Sequence, residues 1–189
     1  MKNPLDLEDV ITTTREILAQ LLVMDVTAID KHSSLVEDLS ADSLDIVDLS
    51  FQLGRTYGCT LPKTSVLDHA VAVFGDGSQF VDKGRITQAG VTLLEQSLSA
   101  YAPGTLRSGM QPADVFAATT VRHWAEQCYR IFDYLPPACP ECGTAQARLN
   151  ERRQVVCCGC SARLTPLEGD EISRGRVEKY AAVQWPEKA

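Results

Sequence analysis

The most informative stretch of the chain is Glu37–Leu49, with the sequence EDLSADSLDIVDL. Asp42 and Ser43 are residue types that favour helix N-termini, and apolar residues follow them at helical spacing. A helix is therefore predicted to begin at Asp42 or Ser43, with Asp42, Asp45 and Asp48 around its first two turns. Taken alone, Asp-Ser-Leu is also a common helix cap, so its meaning depends on the surrounding sequence.

An amphipathic helix is predicted before this stretch, over residues 3–24. Asn3 is a suitable cap, and Pro4 suits the first helical position because no amide hydrogen is needed there. The apolar positions follow i, i+3, i+4 spacing and are Leu7, Val10, Ile11, Ile17, Leu18, Leu21 and Leu22. Residues 25–41 contain no long periodic segment, so we expect a loop pinned by its few apolar side chains.

The helix, the long loop and the Asp-Ser-Leu motif together resemble those of acyl carrier proteins. The resemblance covers residues 3–62 closely, and Thr119–Phe132 is similar to the family's last helix with its threonine cap. It implies that a phosphopantetheinyl transferase moves 4′-phosphopantetheine from coenzyme A to the Ser43 hydroxyl. The terminal thiol of that arm would hold acyl groups as thioesters. Ser43 is then expected to be an acceptor, and the protein a phosphoprotein that carries cargo without being an enzyme.

The resemblance also implies a docking surface for the transferase and for acyl-loading and acyl-processing enzymes. Its expected residues are Asp38, Asp42, Leu44, Asp45, Val47 and Asp48. An acidic surface raises encounter rates with basic partners more than it raises final affinity. Gly54 and Arg55 stand where many family members have glutamates. This departure predicts poor docking of the usual fatty-acid synthesis partners. Long carrier variants from specialised lipid or polyketide pathways are similar to this chain in having an inserted segment after the second helix, and this resemblance favours a pathway of that type.

The net charge is concentrated near the N-terminus. Residues 1–58 hold four Lys/Arg and eleven Asp/Glu, so they carry the whole formal charge of −7. Such a surface repels nucleic acid and anionic lipid and attracts basic proteins, although it also suits solubility alone. The sequence contains no run of about 18 apolar residues, and its N-terminus lacks the apolar stretch of a signal peptide. We therefore expect no membrane span, no nucleic-acid partner and a cytoplasmic location.

An insertion of about fifty residues, 63–111, separates the motif from the last helix and is not needed by a minimal carrier. A helix is predicted over residues 64–74, a hairpin around Asp82-Lys83-Gly84, and a further helix capped by Thr87. Residues 1–134 are thus assigned to a carrier domain that contains this insertion. We hypothesise that the insertion extends the cavity for a long or unusual acyl chain or provides a private docking surface. Stabilising decoration is the alternative.

A cysteine-rich module follows the stiff linker Leu135-Pro136-Pro137. Two CxxC pairs separated by 14 residues match a zinc ribbon. The expected ligands are Cys139, Cys142, Cys157 and Cys160. Four thiolates leave no open coordination position, which predicts a structural metal. A rubredoxin-like iron site and a redox dithiol pair are the alternatives. Whether Cys158 is also a ligand is ambiguous, although Cys157 and Cys160 keep the knuckle spacing. The module is assigned to residues 135–170, and residues 171–189 to a tail that either packs on the ribbon or stays mobile.

The predicted fold is mainly α: an acyl-carrier-like helical bundle with an inserted helical and hairpin segment, plus a small β zinc ribbon for stability or partner docking. Cys128 lies on the apolar stripe of the last helix and is expected to be a buried thiol.

The main alternative function is an unmodified interaction protein that keeps the carrier fold. A metal-dependent or thiol enzyme is disfavoured by the lack of an open metal site or a nucleophile–base pair in the motifs, and a nucleic-acid regulator by the acidic first third.

Overall fold

The computed structural model describes residues 1–99, 101 and 104–184 of the chain. Its α-helices are α1 (Leu7–Leu21), α2 (Ser43–Tyr57), α3 (Val66–Phe74), α4 (Gln88–Gln96), α5 (Pro112–Ala117), α6 (Val121–Ile131) and α7 (Gly169–Gln184). Its strands are β1 (Val81–Asp82), β2 (Arg85–Ile86), β3 (Ala147–Leu149) and β4 (Val155–Cys157), and 3₁₀ helices span Val26–Ala28 and Phe132–Tyr134. The fold is mainly α, as predicted: a helical bundle with an inserted helical and hairpin segment, plus a small β ribbon. None of the described helices is long and apolar enough to cross a bilayer.

Three helices, α1, α2 and α6, form the main bundle, in which α1 packs against both of the others. Leu18, Leu49 and Ile131 are fully buried in its core, one from each helix. The loop before α2 is tied to the start of α6, because Leu35 N donates to the Thr119 carbonyl at 3.2 Å. The predicted carrier bundle is therefore formed by segments that lie far apart in the sequence.

The first helix begins later than predicted. Asp6, not Asn3, is its N-cap, since the Asp6 carboxylate accepts from the amides of Glu8 and Asp9. Asn3 instead donates from Nδ2 to the Tyr129 carbonyl at 2.8 Å. This contact holds the N-terminal segment against α6, and no local sequence pattern indicates it.

The end of α2 depends on two glycines. Gly58 is the C-cap with φ 83° and ψ 44°, the left-handed conformation that glycine adopts without strain. Gly54 lies inside the helix, where a β-carbon would stand 2.6 Å from the carbonyl oxygen of Cys59. The glycine at position 54 therefore lets the chain leaving α2 fold back closely on the helix.

The insertion forms a second hydrophobic core, which contains Phe80, Ile86 and Leu93. Its hairpin pairs β1 with β2 as predicted, and the turn residues Lys83 and Gly84 both have positive φ, as type I′ hairpin turns require. Thr87 caps α4, also as predicted, by accepting from Gly90 N at 3.1 Å. Local turn and cap chemistry therefore fixes much of this segment.

The stretch predicted as a tail begins with a helix. Residues 169–184 form α7, which packs against α3 and α4 of the insertion, and residues 185–189 lie outside the described part of the chain. Val177 and Tyr180 of α7 are buried in the second core. At the start of α7, Asp170 accepts from the amides of Lys63 and Thr64 at 3.0 and 2.9 Å. The helix therefore joins the insertion to the loop that follows α2.

The ribbon is a hairpin in which β3 and β4 pair antiparallel, with Leu149 opposite Val155. A single antiparallel bridge between Arg163 and Val156 adds a third segment beside β4. Val155 and Leu164 are buried in the main core together with the bundle side chains. The linker therefore does not hold the ribbon away from the bundle; the ribbon packs directly on it.

Candidate functional site

Ser43 is the first residue of α2, and it is exposed. The Asp42 carboxylate caps this helix by accepting from Leu44 N at 2.7 Å and from Asp45 N at 3.0 Å. The Asp45 carboxylate accepts in return from Asp42 N at 2.9 Å, which completes a capping box. The cap holds the backbone around the Ser43 hydroxyl in one conformation while the hydroxyl itself stays accessible.

This position suits an acceptor of a phosphodiester. The positive end of the α2 dipole lies at Ser43, where a negative group is favoured. The amides of Leu44 and Asp45 are already used by Asp42, so an attached phosphate would be stabilised by the dipole and by water more than by those two amides. A group attached to the exposed Ser43 hydroxyl would therefore extend outward, into solvent.

An apolar stripe runs along α2 from the serine. Leu44 is 75% exposed, Val47 66% and Phe51 63%. Their spacing of i, i+3 and i+7 places them on one side of the helix. Leu44 and Val47 were predicted as docking residues, whereas Phe51 was not. Its seven-residue spacing from Leu44 was the available signal, because seven residues return the helix to the same face.

The acidic residues predicted for docking lie in α2, at its N-cap and in the loop before it, and they differ in exposure. Asp42 and Asp48 are exposed and Asp45 is half-buried, because its carboxylate closes the capping box. Asp38 lies in the preceding loop, where its carboxylate accepts from Ser34 N at 2.8 Å. Asp38 and Asp45 therefore hold local structure as well as contributing negative charge.

The three histidines lie outside the serine-bearing helix α2. His69 is buried with Nε2 3.4 Å from Asp170 Oδ1, in the insertion, while His32 is exposed. His123 is buried against the Tyr101 ring, with ring centroids 4.6 Å apart, and burial lowers its pKa to about 4. Its Nδ1 has no hydrogen-bond partner among the described residues. His69 and His123 are therefore packed side chains.

The four cysteines predicted as ligands come together. Their sulfur atoms all lie within 4.8 Å of one another. The Cys139–Cys160 and Cys142–Cys157 sulfur distances are 3.7 and 3.5 Å. In a tetrahedral zinc site with Zn–S bonds of about 2.3 Å, adjacent sulfurs are about 3.8 Å apart. The donor set and its spacing therefore fit a metal bound by four thiolates.

The remaining cysteine of the ribbon is placed apart from this cluster. Cys158 is exposed and does not belong to the group of four sulfurs, although its amide donates to the Gln146 carbonyl at 3.0 Å. Hydrogen bonding by Thr144 lowers the pKa of Cys142 to about 6. A ligand that ionises readily suits metal binding, because the thiolate is the form that coordinates.

Known proteins resemble the chain around the serine. The family described as a phosphopantetheine attachment site matches residues 13–72, a range that includes Ser43 and ends inside α3. The acyl carrier protein of Rubrobacter xylanophilus is 36% identical over 58 residues, which make up 31% of this chain and 72% of that protein. No solved structure shows a significant match. The similarity and the fold together show that the chain belongs to the acyl carrier protein family.

Proposed function

We propose that the protein carries acyl groups as thioesters on 4′-phosphopantetheine attached to Ser43. The observation that carries this proposal is the exposed position of Ser43 at the capped N-terminus of α2, within the part of the chain that matches the phosphopantetheine attachment family. The protein acts on this account as a substrate of a phosphopantetheinyl transferase and as a carrier for acyl-loading and acyl-processing enzymes. It supplies the hydroxyl and the docking surface, and the arm supplies the reactive thiol.

The attachment is tested by intact mass after incubation with coenzyme A and a broad-specificity phosphopantetheinyl transferase. Wild type and Ser40→Ala are expected to gain one phosphopantetheine, and Ser43→Ala none. Ser40 is a matched control because it is also exposed and lies three residues before Ser43. If wild type gains no mass while its circular dichroism is that of a folded protein, the alternative of an unmodified interaction protein is favoured.

We further propose that partners dock on the apolar stripe of Leu44, Val47 and Phe51 and on the carboxylates of Asp38, Asp42, Asp45 and Asp48. Replacing Val47 by Ser should lower the transferase kcat/KM about tenfold with a stability change within about 0.5 kcal/mol, because the side chain is exposed. Val183→Ser is the control, since Val183 is 76% exposed on α7. Equal kcat/KM values for Val47→Ser and wild type would remove Val47 from the docking surface.

We also propose that Cys139, Cys142, Cys157 and Cys160 bind one structural zinc ion. The four sulfurs leave no position for water or substrate, so the ion would hold the ribbon together without taking part in a reaction. Elemental analysis of protein purified without added metal distinguishes zinc from iron. About one zinc per chain supports the proposal, whereas iron with thiolate charge-transfer absorption would point to the rubredoxin-like alternative.

The insertion supports a specialised role for this carrier. Its apolar side chains pack with α7 in a core separate from that of the bundle, which favours a docking surface over an extended acyl cavity. Arg55 is exposed on the second half of α2, where it reduces the acidity of the surface. We therefore propose service in a specialised lipid or polyketide-type pathway. Comparable acyl transfer rates with its own partner enzymes and with fatty-acid synthesis enzymes would contradict this.

A further inference from the structure

Two cysteines outside the metal cluster face each other across the bundle. The Sγ atoms of Cys59 and Cys128 lie 3.9 Å apart, although the residues are 69 positions apart in the sequence. Cys59 follows the C-cap of α2, and Cys128 lies in the middle of α6. Neither sulfur belongs to the four-cysteine group of the ribbon.

The two thiols differ in access. Cys59 is half-buried, whereas Cys128 is fully buried in the main core. Hydrogen bonding to Cys59 and burial raise the pKa of Cys128 well above its ordinary value. Of the two residues, Cys59 is the one that has surface exposed to solvent, so we expect a reagent to meet Cys59 first and Cys128 to react with a group already held by Cys59.

The surroundings keep the pair together. Cys59 N donates to the Gly54 carbonyl at 3.0 Å, and the Cys59 carbonyl oxygen lies so close to Gly54 that a β-carbon there would be 2.6 Å away. A disulfide requires an S–S distance of about 2.05 Å, so the sulfurs need to approach by less than about 2 Å. Side-chain rotation and small backbone shifts supply movements of this size.

We propose that Cys59 and Cys128 form a reversible disulfide when the protein meets a low-molecular-weight disulfide oxidant. The Cys59 thiolate attacks one sulfur of the oxidant, which forms a mixed disulfide and releases one small thiolate. The Cys128 thiolate then attacks the Cys59 sulfur, the Cys59–Cys128 bond forms, and the second small thiolate leaves. Two electrons pass to the oxidant, and the protein loses two hydrogens.

The bond would fasten the end of α2 to α6 and enclose the whole insertion within one covalent loop. Ser43 lies at the other end of α2, and a helix of 15 residues is about 22 Å long. Oxidation is therefore expected to raise the unfolding temperature while leaving the loading of Ser43 unchanged. The Cys59–Cys128 pair would act as a redox-sensitive cross-link that stabilises the fold and lies away from Ser43.

The test uses the full-length, zinc-loaded protein with Cys158→Ser, which removes the exposed thiol outside the cluster. After incubation with oxidised glutathione at about pH 8, the expected result is a mass loss of about 2 Da, reversed by a phosphine reductant, with bound zinc unchanged. Peptide mapping should show one cross-link, between Cys59 and Cys128.

Matched variants with Cys59→Ala or Cys128→Ala in the same background should show no cross-link. The Cys128→Ala protein should instead keep glutathione on Cys59. The proposal is overturned if the parent protein stays fully reduced with its zinc retained. It is also overturned if the parent accumulates a stable glutathione adduct at Cys59 without closing the bond, since Cys128 would then not be in reach.

Discussion

The Arg163 guanidinium lies against Gly58, the residue that ends the serine-bearing helix α2. A β-carbon at Gly58 would stand 2.5 Å from Arg163 Nη2. Arg163 belongs to the ribbon, so its positive charge is placed at the negative end of the α2 dipole, where it is favoured. The ribbon makes a second contact with the bundle, because Arg153 Nη1 donates to Oγ1 of Thr13 in α1 at 2.6 Å. The ribbon therefore contacts both α1 and α2 of the carrier bundle.

Substituting Gly58 by Ala should destabilise the protein for two reasons. The left-handed conformation costs an alanine about 1 kcal/mol, and the new methyl group displaces the Arg163 guanidinium, which then loses its favourable position at the end of α2. The control is Gly75→Ala, because Gly75 is also a left-handed C-cap, with φ 74°, but has open space around it. Urea unfolding should show a larger loss at Gly58 than at Gly75.

The Arg163→Ala background separates the two contributions. In it, the loss caused by Gly58→Ala should shrink towards the value for Gly75→Ala, since only backbone strain remains. If Gly58→Ala lowers the free energy of unfolding by the same amount in the wild-type and Arg163→Ala backgrounds, the contact of Arg163 with the end of α2 does not contribute to stability.

Removing the metal should destabilise the bundle as well as the ribbon, because Cys157, Val155 and Leu164 are buried in the main core. A strong chelator or Cys142→Ser is expected to lower the midpoint of thermal unfolding, followed by far-UV circular dichroism, by about 10 °C or more. Cys158→Ser should bind one metal and unfold like wild type. A chelated protein with an unchanged midpoint would show that bundle and ribbon are energetically independent.

The Asp42 carboxylate has two separable effects, as a helix cap and as a negative charge. Asp42→Ala should lower the free energy of unfolding by about 1 kcal/mol, because the amides of Leu44 and Asp45 lose their acceptor. Asp42→Asn keeps a capping oxygen and should retain most of the stability, yet lower the transferase association rate because the charge is lost. If both variants bind the transferase like wild type, the charge of Asp42 is not used in docking.

His123 should make stability depend on pH. Its folded pKa of about 4 lies below the ordinary value of 6.5, so protonation favours the unfolded chain. The stabilising contribution of neutral His123 is fully present above the pKa of His123 in the unfolded chain. This contribution falls as the pH drops towards the lower pKa of His123 in the folded protein. Between about pH 7 and about pH 5.5, this group should remove about 1 kcal/mol.

The measurement compares urea unfolding of wild type, His123→Phe and His32→Gln at the two pH values. His123→Phe should lose about 1 kcal/mol less than wild type on acidification, and His32→Gln is the control in which an exposed histidine is removed. Identical pH dependence in all three proteins would indicate that His123 is protonated as easily in the fold as outside it.

Features with local causes were predictable from the sequence. The start of α2 follows from the capping chemistry of Asp42, and the hairpin from a turn that needs positive φ at Lys83 and Gly84. The cysteine cluster follows from knuckle spacing. In each case the residues that decide the structure lie within a few positions of one another or repeat at a known interval.

Features with long-range causes were not predictable in the same way. Asn3 contacts Tyr129 instead of capping α1, and the buried residues of α7, such as Val177, pack in the core of the insertion. Phe51 has the spacing of a docking residue, but an apolar side chain in a helix is ordinarily buried, so only its measured exposure distinguishes it. The packing of Arg163 on Gly58 likewise depends on the tertiary fold alone.

The most direct test of the carrier function is the fate of an acyl group delivered with the arm. Wild-type protein is incubated with acetyl-coenzyme A and a broad-specificity phosphopantetheinyl transferase, and its intact mass is read before and after neutral hydroxylamine. We predict a gain of one acetyl-phosphopantetheine, loss of the acetyl group alone on hydroxylamine treatment, and fragment ions that place the arm on Ser43. Absence of the gain from folded protein, or an arm on any other residue, would contradict the account.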